Sequence, residues 1–257
     1  MADGQGDGQA DAPEEQVRRL RARVRRLRRR LGDTDALGDL GYLVVVTYGR
    51  SGSTLLQGVL NSLPGYLVRG ENRAALRHLH GFHRAMTEER PGGPPRAFRD
   101  PTHPWFGVGD FPADRSLAAL RGLAIDTVLR PEPDTRVVGF KEVRWYHDDL
   151  PAYVAFLREL LPGVRFVVNT RDHAAVLDSM ERAGWFGAAQ RAENAALLAA
   201  TEERFGALLA DLGDAAYAVR FEEWSQGPAH LAGLHDWLGE PLDVDRVGAV
   251  LGRRHSV

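Results

Sequence analysis

The chain has 257 residues, of which 44% are hydrophobic, and its formal net charge is −2 at pH 7. This length and apolar content suffice for one α/β domain with a substantial core, and the near-neutral charge argues against a general polyanion binder. The absence of cysteine excludes disulfides, thiolate metal sites and a cysteine nucleophile. No apolar run approaches the roughly 18 residues of a membrane span and no signal peptide is recognisable, so we expect a cytoplasmic protein.

The N-terminal part differs in composition from the rest of the chain. Residues 1–13 are rich in Gly, Asp, Ala and Gln and are predicted to be a disordered tail, and residues 32–41 a linker. Residues 14–31 are predicted to form an Arg-rich amphipathic helix whose apolar residues step by three and four, the spacing of a coiled-coil seam. Those residues are Val17, Leu20, Val24, Leu27 and Leu31. Nine arginines cover its other faces. The helix could pair with a second chain in a coiled-coil homo-oligomer, pack on its own domain or bind an acidic partner. Binding to nucleic acid is a weaker alternative.

The most informative stretch is residues 43–61, which combine a β-branched run, a glycine-bearing loop and a helical repeat of apolar residues. The run at 44–47 predicts a strand buried on both faces. The loop that follows contains Arg50, Ser51, Gly52, Ser53 and Thr54. A strand, a loop and a helix N-terminus present backbone N–H groups and a positive dipole end, which together suit an anionic oxygen cluster. The loop lacks the lysine and the glycine spacing of a nucleoside-triphosphate Walker motif.

The remaining chain alternates between strand and helix patterns. Further strands are predicted at residues 66–69, 136–140, 164–170 and 216–221, and helices at 73–88, 117–129, 150–161, 174–182, 192–212, 230–238 and 244–252. Residues 90–116 are rich in Pro and Gly and are predicted to be a long loop. Strands that are apolar throughout and alternate with helices predict an α/β fold with a parallel sheet flanked by helices.

Ionisable residues follow four of the predicted strands directly: Arg50, Glu71, Lys141 and Arg171. In a parallel sheet the carboxyl ends of the strands lie at one edge, where ligands bind, so we expect these residues to lie close together. Lys141 is the only lysine in the chain. Since lysine and arginine are not interchangeable, either a compact ammonium is needed there or a biased genome has left one stray lysine.

A second anion site is predicted around Arg171. Ser179 lies eight residues later, about two turns along the next predicted helix, so that its hydroxyl and the Arg171 guanidinium could converge on one oxyanion. The alternative is an exposed Arg–Asp pair followed by an ordinary serine in a helix interior.

These motifs resemble those of sulfotransferases that use 3′-phosphoadenylyl sulfate (PAPS). The RSGST loop at 50–54 resembles their 5′-phosphosulfate loop, and the strand followed by Arg171, Asp172 and Ser179 resembles their 3′-phosphate-binding segment. Residues 64–71 and 139–142 are similar to the segments that carry the catalytic glutamate and lysine in tyrosylprotein and bacterial carbohydrate-type sulfotransferases. Phe221 stands where the family usually has tyrosine. The resemblance covers residues 42–257 and implies a P-loop-like sulfotransferase fold.

The resemblance also implies a mechanism: in-line transfer of a sulfuryl group from PAPS to a hydroxyl or amine of a small acceptor, a sugar or a natural product of bacterial secondary metabolism. Glu71 would be the base, and Lys141, helped by Ser53, would stabilise the bridging oxygen. Arg50 and the N–H groups of residues 51–54 would hold the phosphosulfate, Arg171 and Ser179 the 3′-phosphate, with no metal required. Trp185 or Phe186 could stack on adenine. A P-loop kinase or NTPase, and a non-catalytic protein acting through its Arg-rich helix, are the alternatives.

Overall fold

A computed structural model describes residues 40–87 and 97–253, together with Leu20 and Val24. Leu20 and Val24 are helical and about half exposed. The rest of the predicted N-terminal tail, Arg-rich helix and linker lies outside the described residues, apart from the linker's last two. The first of the predicted strands begins slightly earlier than expected, at Gly41.

The core of the fold is one five-stranded parallel sheet, as predicted. Its strands are β1 (Gly41–Val46), β2 (Tyr66–Arg69), β3 (Val137–Glu142), β4 (Arg165–Thr170) and β5 (Ala216–Arg220), in the spatial order β2-β3-β1-β4-β5. β1 is therefore the central strand. Its last residue, Val46, pairs with Glu142 of β3 and with Val168 of β4, so the loops that leave these three strands begin side by side.

Nine α-helices surround the sheet within residues 40–87 and 97–253, short 3₁₀ turns aside. They are α1 (Ser53–Ser62), α2 (Ala75–Thr87), α3 (Ala113–Leu123), α4 (Leu150–Leu160), α5 (His173–Arg182), α6 (Arg191–Leu212), α7 (Phe221–Trp224), α8 (Ala232–Leu238) and α9 (Val244–Leu251). A π-helical segment, Ala124–Leu129, continues α3. None of the described helices is both long and apolar enough to cross a membrane.

The two faces of β1 contact two different helical layers. Val44 and Val46 join a cluster with side chains of α2 to α6, whereas Leu43 and Val45 join a second cluster with side chains of α1 and α7 to α9. Successive residues of a strand point to opposite faces. Because helices cover both faces of the sheet, neither set of β1 side chains faces solvent. Polar residues therefore do not alternate with apolar ones, which explains the uninterrupted apolar run in the sequence.

Besides the earlier start of β1 and the π-helical segment, the structure differs from the predicted elements at β3, at Phe221 and in the long loop. β3 continues through Lys141 to Glu142, because its pairing with β1 extends to Val46. Phe221 begins α7 instead of ending β5, since the ladder between β4 and β5 stops at Thr170 and Arg220. The long loop predicted at 90–116 already becomes helical at Ala113 and contains short turns at Ala97–Arg99 and Val108–Asp110, while residues 90–96 lie outside the described residues.

Candidate active site

A cleft of about 400 Å³ opens at the carboxyl ends of β1, β3 and β4. Its wall includes eight of the nine residues proposed from the sequence. These are Arg50, Gly52, Ser53, Thr54, Glu71, Lys141, Arg171 and Ser179. The remaining wall is formed by Gly49, Leu55, Val143, Trp185, Phe221 and Arg253. Of the two aromatic residues predicted to stack on adenine, Trp185 lines the cleft, whereas Phe186 packs against the hydrophobic core.

The loop between β1 and α1 depends on its two glycines. Gly52 has φ 79°, in the left-handed region, and a Cβ there would lie 2.2 Å from a ring carbon of Phe221. A Cβ on Gly49 would lie 2.5 Å from the ring of Trp185. Gly52 precedes α1 and provides no side-chain cap, so the first N–H groups of that helix are directed to the cleft side without a capping oxygen. The backbone there is suited to an anion.

Ser51 is the predicted site residue whose side chain does not line the cleft. It is completely buried, and its hydroxyl lies 2.7 Å from that of Thr47. The Asn169 side-chain amide donates to the Ser51 carbonyl at 3.1 Å and is itself held by the Trp224 indole at 3.0 Å. The Ser51 side chain therefore supports the loop from below and is not exposed in the cleft. The sequence pattern did not reveal Asn169, because its contacts come from the packing of β4 beside β1.

Glu71 and Lys141 form an ion pair at the wall of the cleft. The Lys141 Nζ donates to Glu71 Oε1 at 2.6 Å. The lysine side chain is 6% exposed and that of the glutamate 44% exposed, so the ammonium lies at the inner side and the carboxylate at the open side. Lys141 comes from β3 and Glu71 from the turn after the neighbouring strand β2.

Arg171 and Ser179 reach the same cleft from β4 and α5. Arg171 donates from one terminal nitrogen to the Arg50 carbonyl at 2.9 Å, and its guanidinium lies over the Phe221 ring at 4.4 Å. Its Nε is buried and has no hydrogen-bond partner among the described residues. Ser179 accepts a hydrogen bond from Arg50 Nε at 2.9 Å. The side chain of Arg50 therefore joins the group that contains Arg171 and Ser179.

Tyr48 fixes the main chain of Arg171 and was not singled out in the sequence. Its hydroxyl accepts a hydrogen bond from the Arg171 N–H at 2.8 Å and donates one to the Arg171 carbonyl at 2.7 Å. Burial raises the pKa of Tyr48 well above its ordinary value, and the negative charge of Glu202 acts in the same direction. The phenol therefore remains a neutral donor, and it ties the end of β4 to the end of β1.

The sequence matches no family model and no curated protein. Among solved structures, the chain is similar to the sulfotransferase domain of the Synechococcus PCC 7002 olefin synthase, with a TM-score of 0.54 and 18% identity over 85% of this chain and 78% of that one. The sulfotransferase domain from the curacin biosynthetic pathway gives a TM-score of 0.49 and 18% identity over 80% and 76% of the two chains. For sulfotransferase STF9 from Mycobacterium avium the TM-score is 0.42 and the sequence identity 14%, over 95% of this chain and 77% of that one. The first comparison shows that this chain has the sulfotransferase fold, as the resemblance of its motifs implied.

Proposed function

We propose that the protein is a PAPS-dependent sulfotransferase that transfers a sulfuryl group to a hydroxyl or amine of a small-molecule acceptor, a sugar or a natural product. The observation that carries this proposal is the convergence of two anion-binding groups, one after β1 and one after β4, beside the Glu71–Lys141 pair in a single cleft. The fold supports the reaction class. That the similar domain belongs to an olefin synthase supports a small acceptor.

The residues present suit a nucleotide that carries phosphates at both ends. The buried Arg171 Nε is a donor that lacks a partner among the described residues, and burial without a partner is costly. An anionic oxygen at this place would supply the acceptor, with Ser179 as a further donor. The first N–H groups of α1 would hold the second anionic group. The Trp185 ring beside the loop offers a flat surface for the base.

The bound donor would supply an activated sulfuryl group, and the protein's own residues would position and neutralise charge. Glu71, at the open side of the cleft, would take the proton from the acceptor. Lys141, at the inner side, would donate a hydrogen bond to the oxygen that carries charge as its bond to sulfur breaks. Because the two side chains are paired at 2.6 Å, each must exchange its partner for a substrate group when the site fills. Positioning then contributes the remaining rate enhancement.

Calorimetric titration with 3′,5′-adenosine bisphosphate (PAP), the product of the donor, tests the proposal. We expect the wild type to bind PAP and Arg171→Ala to bind about 10- to 100-fold more weakly, since a hydrogen bond to a charged group is removed. Arg158→Ala is the matched control, because that exposed arginine borders a different depression, formed mainly by α4 and the segment between α4 and β4. We expect it to bind like the wild type.

Two outcomes would contradict the proposal: no PAP binding by the wild type, or undiminished binding by Arg171→Ala. A parallel titration with magnesium and ATP distinguishes the kinase or NTPase alternative, for which tight ATP binding is required. The acceptor, the oligomeric state, the role of the Arg-rich helix and the cytoplasmic location stay predictions from the sequence.

A further inference from the structure

Glu142, the last residue of β3, is a buried carboxylate next to the candidate catalytic lysine. It is 2% exposed, and burying a carboxylate is unfavourable unless hydrogen bonds compensate. Its Oε1 accepts hydrogen bonds from the N–H groups of Val143 at 2.8 Å and Arg144 at 3.3 Å. Its Oε2 accepts from those of Asn72 at 3.3 Å and Ala74 at 2.8 Å. The side chain therefore joins the segment after β3 to the turn after β2.

The turn after β2 carries Glu71 and has an unusual backbone. Arg73 and Ala74 have φ of 59° and 57°, in the left-handed region that residues with a side chain disfavour by about 1–2 kcal/mol each. Such conformations persist where the surroundings impose them. The ladder between β2 and β3 ends at the pair of Arg69 and Phe140, so the sheet itself does not hold this turn. The carboxylate of Glu142 holds the turn beyond this point, because it accepts hydrogen bonds from the main chain that follows Glu71.

Two adjacent residues of β3 thus act on the same turn from different sides. Lys141 contacts the side chain of Glu71, and Glu142 contacts the main chain that follows it. We propose that Glu142 is a positioning residue, which holds the turn in the one conformation that places the Glu71 carboxylate against Lys141. Its importance for the reaction rests on the proposed function, whereas its effect on the Glu71–Lys141 distance does not.

Glutamine and aspartate at position 142 distinguish the requirements of this site. Glu142→Gln has nearly the same shape, but one oxygen becomes an NH₂ group, which donates and cannot accept from the N–H groups that face it. Either the turn or the segment after β3 must then lose its hydrogen bonds. Glu142→Asp keeps two acceptor oxygens on a side chain shorter by one methylene. We therefore expect the aspartate variant to retain part of the arrangement.

The single lysine makes the arrangement measurable without any substrate. An amine-acylating reagent modifies only Lys141 and the terminal amine, and peptide mass spectrometry separates the two. Glu71→Gln removes the charged partner of Lys141 directly, so its rate of Lys141 acylation is the upper reference for the other variants. We expect acylation of Lys141 to rise about fivefold in Glu71→Gln and to approach that value in Glu142→Gln, as expected for the loss of one ion pair. Glu142→Asp should lie between Glu142→Gln and the wild type.

The matched control is Glu132→Gln, the same change in an exposed glutamate that pairs with Arg69 at 3.5 Å. We expect its Lys141 to react like that of the wild type. Conversion of labelled PAPS to PAP in single turnover, with water as acceptor, gives the second readout. There we expect Glu142→Gln to be at least about tenfold slower than the wild type, while its PAP affinity changes less than about threefold.

The outcomes separate this inference from the proposed function. If Glu142→Gln is folded and its Lys141 is acylated at the wild-type rate, Glu142 does not position the pair and the inference is overturned, whatever the protein binds. If acylation rises as expected but the wild type binds no PAP, the positioning role stands and the proposed function fails. If both Glu142 variants fail to fold, Glu142 is a stability residue and the positioning role is overturned as well.

Discussion

Gly52 satisfies two requirements at one position of the loop before α1. Its φ of 79° lies in the region that favours glycine, and the Phe221 ring occupies the space where any Cβ would extend. The ring in turn lies under the Arg171 guanidinium. Gly52, Phe221 and Arg171 therefore form a stack, in which the lack of a side chain at Gly52 allows the Phe221 ring and the loop before α1 to lie close together.

We expect Gly52→Ala to lower the free energy of unfolding by about 1–3 kcal/mol, since it adds a clash to a disfavoured backbone conformation. In a Phe221→Ala background the clash is absent, and only about 1 kcal/mol should remain. Urea unfolding of the two single variants and the double variant measures the coupling. An equal loss in both backgrounds would show that the ring is not what excludes a side chain here.

Lys141 provides a second prediction at a single position. In the proposed mechanism Lys141 donates to the developing charge, so Lys141→Ala should slow conversion of labelled PAPS to PAP by on the order of 10²–10³. Lys141→Arg should not restore the rate, since the planar guanidinium does not fit a 6% exposed site shaped for an ammonium. PAP affinity, measured in parallel, serves as the control for binding. Full activity in Lys141→Arg would favour the stray-lysine explanation.

Some site residues could be predicted from the sequence and others could not. Arg50, Lys141 and Arg171 could be placed at the cleft because each comes at or within a few residues of the end of an apolar strand, where a parallel sheet collects its polar groups. Tyr48 and Glu142 were not singled out, since the contacts that connect Tyr48 to Arg171 and Glu142 to the turn after β2 are with main-chain atoms more than sixty residues away. A tyrosine or glutamate beside a strand end carries no local pattern for such contacts.

The helices α2 and α4 are connected by an ion pair at the start of α4. Arg77 of α2 donates to Asp149, the residue before α4, at 2.5 Å, and Arg84 of α2 lies 3.9 Å from the other carboxylate oxygen. Burial alone would raise the pKa of Asp149, but the hydrogen bond and charge of Arg77 outweigh it, with a smaller contribution from His80. The pKa of Asp149 therefore lies below its ordinary value.

This lowered pKa makes the contact between the helices sensitive to acid. A carboxyl group with a depressed folded-state pKa contributes stability above its unfolded pKa of about 3.9, and loses it as the pH falls through the lower folded-state value. We expect Arg77→Gln to be less stable than the wild type by about 1 kcal/mol near neutral pH, and the difference to shrink below about pH 3. Urea unfolding at several pH values measures it.

The ion pair of the neighbouring residue, Asp148, provides the control for this prediction. Arg204 donates to Asp148 at 2.7 Å, but Asp148 is 95% exposed, so its ion pair is weakened by water. We expect Arg204→Gln to unfold like the wild type at every pH. A loss in Arg77→Gln that is constant with pH would instead attribute the effect to packing of the Arg77 side chain.

The type and order of the elements could be predicted better than their ends. All five strands were predicted. The inner strands β1, β3 and β4 are covered on both faces and are written as continuous apolar runs, whereas the edge strands β2 and β5 are shorter and partly exposed. The end of β3 was placed too early, since Lys141 and Glu142 are charged and nothing local indicates that β1 continues to pair with them. The π-helical turn after α3 was likewise read as ordinary helix, because hydrophobic spacing does not distinguish the two.

At the scale of the whole molecule, the sequence predicts a boundary between the N-terminal part and a sulfotransferase-like domain that covers residues 42–257. β1 begins at Gly41 and pairs with β3 from its first residue. If the Arg-rich helix does not pack on its own domain, a chain that starts at residue 40 should unfold at the same temperature as the full chain and bind PAP with the same affinity. A loss of binding would contradict the predicted domain boundary.

The same truncation tests the predicted coiled coil. If the apolar seam at residues 14–31 pairs two chains, light scattering should give a dimer for the full chain and a monomer for the chain that starts at residue 40. Equal masses would contradict a dimer through this segment and leave packing on its own domain or on an acidic partner.

The order of the sheet divides the candidate site into two separately encoded halves. Strands β1 and β4 deliver Arg50, Arg171 and Ser179 on one side, whereas β2 and β3 deliver Glu71 and Lys141 on the other. In sequence, everything between residues 66 and 142 belongs to the second half. If the proposed function holds, exchange of this single continuous block with that of a sulfotransferase of the same fold should change the choice of acceptor and leave nucleotide binding by Arg171 and Ser179 unchanged.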